Sequence, residues 1–228
     1  MHTALLQRFP NLAELWHASR IDHPDNYFGI YNSPKLSRGA ENQFEEWDSL
    51  IAGLDSESRT TFLRKASGLV SAPTSRERGW TQLVECVNEI RGYEYAISLG
   101  YTNAQLIQEQ QIELPDIAAT NSESRCLVEV KTIQKSDLEI DQRNQVQTEE
   151  IGLPIRLKRV LRKRYTKAST QIENHPWASD ARKICYMFIN PDLRTLLAEE
   201  NKDNLHQYLD GLESSVEIHY VSQYWPAR

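Results

Sequence analysis

The sequence has few of the features that would place a chain in a membrane or in an oxidising compartment. No apolar run approaches the roughly 18 residues that a membrane-spanning helix requires. Residues 1–8 lack the apolar core and the small-residue cleavage site of a signal peptide. The three cysteines, Cys86, Cys126 and Cys185, lie far apart in apolar patterns. We therefore expect buried, reduced thiols in a cytoplasmic protein, without a disulfide framework.

Zinc-type spacing and internal repetition are also missing. None of the six histidines pairs with a cysteine or another histidine at the spacing of a zinc site. The chain has 228 residues, of which 39% are hydrophobic and 25% charged. This composition is typical of a globular protein, and the length suits one domain with an extension or two small domains.

Charge is distributed unevenly along the chain. Although the net charge is −6, residues 155–183 contain nine basic residues against two acidic ones. This stretch therefore has a charge of +7, and the remainder of the chain has −13. Such polarity predicts one face that attracts a polyanion, while the rest of the surface keeps the protein dispersed.

Residues 1–73 are predicted to form a helical and irregular N-terminal region. Apolar residues recur at helical spacing in three segments, which are 3–17, 40–53 and 56–69. The first segment is interrupted at Pro10. Residues 22–39 contain prolines, glycines and asparagines, and this composition predicts a long loop.

A longer helix is predicted to follow Pro73. Thr74 and Glu77 form a capping-box pattern, and apolar residues then recur at helical spacing. The helix ends either at Leu99, before Gly100, or already at Arg91. In the second case residues 93–99 would form a strand, since their apolar residues alternate. We predict the longer helix.

The remaining pattern predicts a mixed α/β domain. The predicted strands are residues 104–112, 114–120, 126–133, 183–190 and 216–222. The first two are expected to be antiparallel, and residues 121–125 are expected to form a polar turn. A basic helix is predicted over residues 155–172, opened by Pro154, and one or two acidic helices are predicted after Pro191. The order from residue 74 is helix, strand, strand, strand, helix, strand.

Two of these strands place three charged residues within apolar surroundings. Asp116 lies between Leu114 and Ala118, while Glu129 and Lys131 are two residues apart in strand 126–133. Side chains two apart on a strand point to the same face, about 6.6 Å apart. If the two strands pair, the three charges converge.

This combination suits the hydrolysis of phosphodiester bonds. Two carboxylates, Asp116 and Glu129, would bind Mg²⁺ or Mn²⁺, which prefer oxygen ligands. Lys131 would orient a water molecule and offset the charge that develops on the phosphate. The main-chain carbonyl of Val130 is a candidate further ligand. The alternative is an edge strand with one solvated face, on which Glu129 and Lys131 form a surface ion pair contributing ~0–1 kcal/mol.

The residues Pro115-Asp116, followed after twelve residues by Glu129-Val130-Lys131, resemble the motif of the PD-(D/E)XK nuclease superfamily, the restriction-endonuclease-like proteins. The resemblance covers roughly residues 75–190. It implies an αβββαβ core within a domain of residues 74–228. It also implies that Asp116 and Glu129 are metal ligands and that Lys131 is catalytic. The superfamily often adds a carboxylate from the preceding helix, for which Glu89 is our prediction and Glu85 the alternative.

The basic helix is predicted to bind nucleic acid. Its candidate residues are Arg156, Lys158, Arg159, Arg162, Lys163, Lys167 and Gln171. The resemblance implies that this helix packs near the catalytic residues, with Lys167 or Gln171 facing them. Because basic residues occur all around the helix, we expect it to be largely exposed. The alternative is a solvated basic face balanced by acidic helices elsewhere in the chain.

The sequence as a whole predicts a metal-dependent endodeoxyribonuclease of the restriction, defence or repair type. DNA is the expected partner rather than RNA, and cleavage of both strands by one site per chain would favour a homodimer. The alternative is a catalytically silent nuclease-fold module that binds nucleic acid or assembles a complex. A third hypothesis is a protein-interaction domain that uses the acidic helices around residues 199–210.

Overall fold

The computed structural model describes residues 3–19, 26–28, 36–70, 76–108, 110–133, 153, 155–189, 199–212 and 215–222. The chain divides into two compact units, Met1–Gln108 and Glu109–Arg228. The domain boundary predicted at residue 73 stays a prediction. Within the described ranges, no helix combines the length and the apolar composition needed to cross a membrane.

The first unit consists of helices followed by one short strand. Its elements are α1 (Thr3–Arg8), α2 (Pro10–Ala18), α3 (Arg38–Ala52), α4 (Ser56–Val70), α5 (Arg76–Ser98) and β1 (Asn103–Leu106). The predicted break at Pro10 and the two amphipathic helices that follow are confirmed. The buried aromatic rings of Phe9, Phe28 and Phe44 meet edge to face, with centroids 5.8 and 6.0 Å from that of Phe44.

The long form of α5 is confirmed, because the helix continues without interruption to Ser98. Gly100 then adopts φ +92°, a left-handed conformation that side chains with a Cβ rarely adopt. The N–H of Tyr101 donates to the carbonyl of Ala96, so the chain turns away from the helix axis. The capping box predicted at Thr74 and Glu77 lies outside the residues and side chains that the structure describes.

The start of α2 is capped by a side chain from another helix. Phe9, at the N-cap position, provides no side-chain hydrogen bond. Instead Oδ1 of Asp48, on α3, accepts from the N–H groups of Asn11 and Leu12 at 2.8 and 2.9 Å. These groups would otherwise lack a partner at a helix start. Asp48 therefore both caps α2 and joins it to α3.

Replacing Asp48 with alanine is expected to lower the free energy of unfolding by about 1–2 kcal/mol, the usual cost of losing an N-cap. Urea unfolding followed by circular dichroism measures the change. Ser49→Ala, at the neighbouring exposed position of α3, is the control and should change stability little. Equal stability of the two variants would contradict the capping role.

The second unit is a mixed sheet with helices. Its elements are β2 (Ile117–Thr120), β3 (Arg125–Ile133), α6 (Ile155–Glu173), β4 (Arg182–Ile189), α7 (Glu199–Asp210) and β5 (Glu217–Ser222). The strands follow the order β2-β3-β4-β5. β3 is antiparallel to β2 and parallel to β4, and β4 is parallel to β5. The α/β class and the mixed sheet are therefore confirmed.

Several predicted elements of this unit are confirmed. β3, β4, β5 and α6 begin and end within one residue of the prediction, except that Asn190 lies outside the described residues. The polar turn at 121–125 is present, with the side-chain oxygen of Asn121 accepting from the N–H groups of Glu123 and Ser124. Pro154 and residues 134–152 lie outside the described residues.

Two strands are shorter than predicted. β1 ends at Leu106 rather than Ile112, and Ile112 is 62% exposed. β2 begins at Ile117 rather than Leu114. Pro115 has no N–H to donate to a neighbouring strand, and the side chain of Asp116, not its main chain, meets β3. Apolar residues alternate beyond the residues that pair in the sheet, and for this reason both strands were predicted too long.

The position of β3 contradicts the alternative of a solvated edge strand. β3 lies between β2 and β4, and every residue from Cys126 to Ile133 is buried. Its apolar residues therefore fill both faces of the sheet. Glu129 and Lys131 are buried as well, so their charges are not solvated by bulk water.

The expectation that the basic helix is largely exposed is wrong. α6 packs against β3 and β4. Its buried side chains are Leu157, Val160, Leu161, Tyr165, Ala168, Gln171 and Ile172. The hydroxyl of Tyr165 also donates to the carbonyl of Val216 at 3.0 Å. Basic residues around the helix concealed a well-formed apolar face, because the apolar positions recur at helical spacing between them.

Candidate metal and catalytic site

Asp116 stands immediately before β2 and is fixed to β3. Its Oδ2 accepts a hydrogen bond from the main-chain N–H of Val130 at 2.8 Å. The bond replaces the sheet partner that β2 would otherwise supply at this point. The carboxylate of Asp116 therefore lies beside the part of β3 that carries Glu129 and Lys131.

Glu129 and Lys131 form an ion pair in the middle of the sheet. The side chain of Glu129 is 1% exposed and that of Lys131 is 9% exposed. Nζ of Lys131 donates to Oε1 of Glu129 and, at 2.8 Å, to Oε1 of Gln171 on α6. Removing two charges from water is costly even when they are paired. The pair therefore contributes less to the free energy of folding than apolar residues of similar volume would.

The charge on Glu129 is poorly compensated. Burial raises the pKa of Glu129 well above its ordinary value, and Asp116 raises it further through its charge and a side-chain hydrogen bond, while Lys131 acts in the opposite direction. Oε2 of Glu129 is buried and has no hydrogen-bond partner among the described residues. Such buried acceptors are rare in native proteins, and each carries a desolvation cost of about 1–3 kcal/mol. Either a proton, which the raised pKa of Glu129 favours, or a cation bound between the two carboxyl groups would supply the missing partner.

The direction of the Val130 carbonyl follows from that of its N–H. Continuing the register of Ile117 with Val128 by two residues would put Pro115 opposite Val130. In an antiparallel ladder, the N–H and C=O of one residue point to the same neighbouring strand. The N–H of Val130 points to Asp116, and Pro115 has no N–H to offer the carbonyl. The carbonyl is thus directed toward the chain before β2 without a donor from Pro115, and its ligand role stays a prediction.

Gln171 is the residue of α6 that reaches the catalytic candidates. Besides accepting from Lys131, its Nε2 donates to the carbonyl of Leu114 at 3.2 Å. One amide therefore joins Lys131 to the chain just before Pro115-Asp116. Lys167, the other candidate, donates instead to Oε1 of Glu113 at 2.9 Å.

Glu89 and Glu85 lie on α5 in the first unit. Oε1 of Glu89 accepts from Nζ of Lys65 at 2.8 Å, and the side chains of both glutamates are half-buried. Among the described residues, no group of three or more His, Cys, Asp and Glu side chains is placed to hold a metal ion. The role predicted for Glu89 therefore stays a prediction.

The residues predicted to contact nucleic acid differ in exposure. Arg159, Arg162, Lys163 and Lys167 are exposed, whereas Arg156 and Lys158 are half-buried. Gln171 is buried, with both ends of its amide engaged inside the protein. Its position suits a role in orienting Lys131 better than contact with a ligand at the surface.

Sequence reasoning missed two neighbours of the site. Cys185 on β4 is in register with Glu129, and burial raises the pKa of its thiol, so it is a neutral apolar neighbour. The main-chain carbonyls of Glu113 and Leu114 accept hydrogen bonds from Asn174, the residue after α6, and from Gln171 within it. Neither feature has a local sequence signal, because both depend on which elements pack together.

Comparison with protein-family models, with curated proteins and with solved structures found no match.

Proposed function

We propose that the protein is a Mg²⁺- or Mn²⁺-dependent endonuclease that hydrolyses phosphodiester bonds of DNA. The proposal assigns Asp116 and Glu129 to the metal and Lys131 to catalysis. It draws on the resemblance to the PD-(D/E)XK superfamily, whose αβββαβ core has the same order of elements as α5 to β4. A restriction, defence or repair role is the biological setting that we propose.

The observation that carries the proposal is the uncompensated carboxylate of Glu129. Oε2 is buried without a hydrogen-bond partner among the described residues, beside a second carboxylate. Two carboxylates and one carbonyl make an all-oxygen set, which suits a hard divalent cation. Mg²⁺ in such sites commonly keeps waters and binds substrate phosphates at its remaining positions. The donor set therefore fits the proposed metal.

A divalent cation at this place would polarise a phosphoryl oxygen and lower the pKa of a bound water. The chain itself would supply orientation and charge. Lys131 is held by Gln171, so its ammonium group is directed before substrate arrives. There it would offset negative charge that develops on the phosphate, in a region from which the sheet and α6 exclude much of the water. Asp116 is held by the N–H of Val130, which limits its reorientation.

A panel of substrates tests the proposal. The full-length protein is incubated with supercoiled plasmid, linear duplex DNA, single-stranded DNA and RNA, in Mg²⁺, in Mn²⁺ and in a chelator. We expect metal-dependent nicking or linearisation of the plasmid. Absence of cleavage of every substrate in both metals would contradict the proposed function, and cleavage of RNA alone would correct the substrate.

Gln171 is proposed as a positioning residue for Lys131. Gln171→Leu is expected to lower kcat by about tenfold, the lower end of the effect of losing an outer partner in a metal site. KM should change little, because the amide is buried. Thr170→Val, at an exposed position of the same helix, is the control. A rise in KM at constant kcat would show that Gln171 contacts the substrate instead.

One observation favours a second candidate, a nuclease-fold module that binds nucleic acid without cutting it. Lys131 already pairs with Glu129, so the buried charge is partly balanced by the protein itself. Calorimetric titration with Mn²⁺ separates the two candidates. A silent module would give salt-sensitive binding of DNA but no binding of Mn²⁺ that depends on Asp116.

A further inference from the structure

One flank of α6 is tied to the chain around Asp116. Nζ of Lys167 pairs with Oε1 of Glu113 at 2.9 Å, and Nε2 of Gln171 donates to the carbonyl of Leu114 at 3.2 Å. Glu113 and Leu114 lead directly into Pro115-Asp116. The side of the helix that carries Lys167 and Gln171, here called the site flank, therefore faces the candidate catalytic residues.

Five of the seven basic residues of α6 lie on this flank or on the opposite one, and Arg159 and Arg164 lie between the two. Successive residues of a helix are about 100° apart around its axis. On this basis Arg156 and Lys163 lie within about 40° of Lys167, so the three form a row along the site flank about 17 Å long. Lys158 and Arg162 lie about 140–180° from Lys167, on the opposite flank.

The opposite flank adjoins an acidic helix. The hydroxyl of Tyr208 on α7 donates to the carbonyl of Lys158 at 2.7 Å, which places α7 beside this side of α6. The sequence of α7 contains four acidic residues and one lysine. The acidic residues of α7 would repel a polyanion on this flank. The acid that meets the site flank, Glu113, is paired with Lys167.

Lys163 forms no ion pair with a described acidic residue, unlike several other cations of this unit, among them Lys167 of the same row, which pairs with Glu113. Ion pairs of 2.6–2.8 Å neutralise other basic side chains, as in Arg125–Asp180, Arg182–Glu217 and Lys183–Glu173. Lys163 and Arg162 are exposed, and neither forms an ion pair with a described acidic residue. They are therefore a matched pair: adjacent in sequence, equal in charge and on different flanks.

We propose that the row Arg156, Lys163 and Lys167 is a track for the phosphate backbone, which leads one substrate strand to Asp116 and Glu129. The opposite flank, with Lys158 and Arg162, makes no contact with the nucleic acid. This inference rests on the proposed function and adds the direction in which the substrate lies. At about 3.4 Å per nucleotide of a duplex strand, the row spans about five nucleotides on one side of the cleaved bond.

Binding of a fluorescent DNA duplex, measured in chelator over a range of salt concentrations, tests the track. Lys163→Gln is expected to weaken binding about eightfold at 0.1 M salt and to reduce the log–log salt slope by about 0.9, the effect of one phosphate contact. Arg162→Gln should weaken binding less than about twofold, although it removes the same charge. Thermal unfolding of both variants verifies that they remain folded.

The outcomes separate the two proposals. Equal losses in Lys163→Gln and Arg162→Gln, or a larger loss in the second, would overturn the track while metal-dependent cleavage by the unaltered protein still supported the nuclease. Absence of both cleavage and salt-sensitive DNA binding would overturn the proposed function and the track together.

Discussion

Replacing Lys131 with methionine is expected to reduce the cleavage rate by about 10²–10³-fold, the usual effect of removing one preorganised donor from a transition state. The affinity for DNA should change little, because the Lys131 side chain is 9% exposed and lies within the core. Methionine keeps most of the volume of the side chain, so packing is largely retained. Single-turnover cleavage and equilibrium binding in chelator measure the two quantities.

Lys183→Met is the matched control for this substitution. Lys183 also lies on a strand and pairs with a carboxylate, Glu173. It lies near the start of β4, in register with Leu127, four residues before the register partner of Lys131. The control should retain the cleavage rate within about twofold, because the ion pair of Lys183 with Glu173 is partly exposed and belongs to no proposed catalytic contact. Cleavage by Lys131→Met at the rate of the unaltered protein would remove Lys131 from the proposed catalytic set.

Replacing Asp116 with asparagine is expected to abolish most cleavage without destabilising the fold. Loss of a charged metal ligand should cost several kcal/mol of transition-state stabilisation, or a rate decrease of about 10³-fold. The asparagine oxygen can still accept from the N–H of Val130. It also removes the negative charge that raises the pKa of Glu129. The melting temperature should therefore stay the same or rise.

This opposite behaviour of activity and stability distinguishes a metal ligand from a structural carboxylate. Asp180→Asn, at an exposed ion pair with Arg125, is the control and should leave both quantities nearly unchanged. A marked loss of stability in Asp116→Asn, with cleavage retained, would show that Asp116 serves the fold alone.

Much of the fold could be predicted because its signals are local. Helical spacing of apolar residues located α3 and α4, and Gly100 marked the end of α5. β3 and β4 were evident as apolar runs. The ends of β1 and β2 were not predicted, since the ladder there depends on a missing N–H at Pro115 and on a side-chain bond from Asp116. The alternation of residue types does not show where a side chain replaces the main chain as a hydrogen-bond partner.

The candidate site was predicted in part for a related reason. The two-residue spacing of Glu129 and Lys131 defines their common side of a strand, whatever surrounds it. Their burial could not be predicted, because it depends on β3 lying between β2 and β4 and beneath α6. The clustering of basic residues on α6 was evident. Their division between two flanks requires the contacts of Lys167 and Gln171.

A crystal structure of the protein soaked in Mn²⁺, with data collected at the manganese absorption edge, tests the central claim most directly. We expect an anomalous peak within coordination distance of carboxylate oxygens of both Asp116 and Glu129, with Oε2 of Glu129 among the ligands. The peak should be missing in Asp116→Asn. A fully occupied Mn²⁺ elsewhere, with Glu129 bound by Lys131 alone, would contradict the proposed metal site.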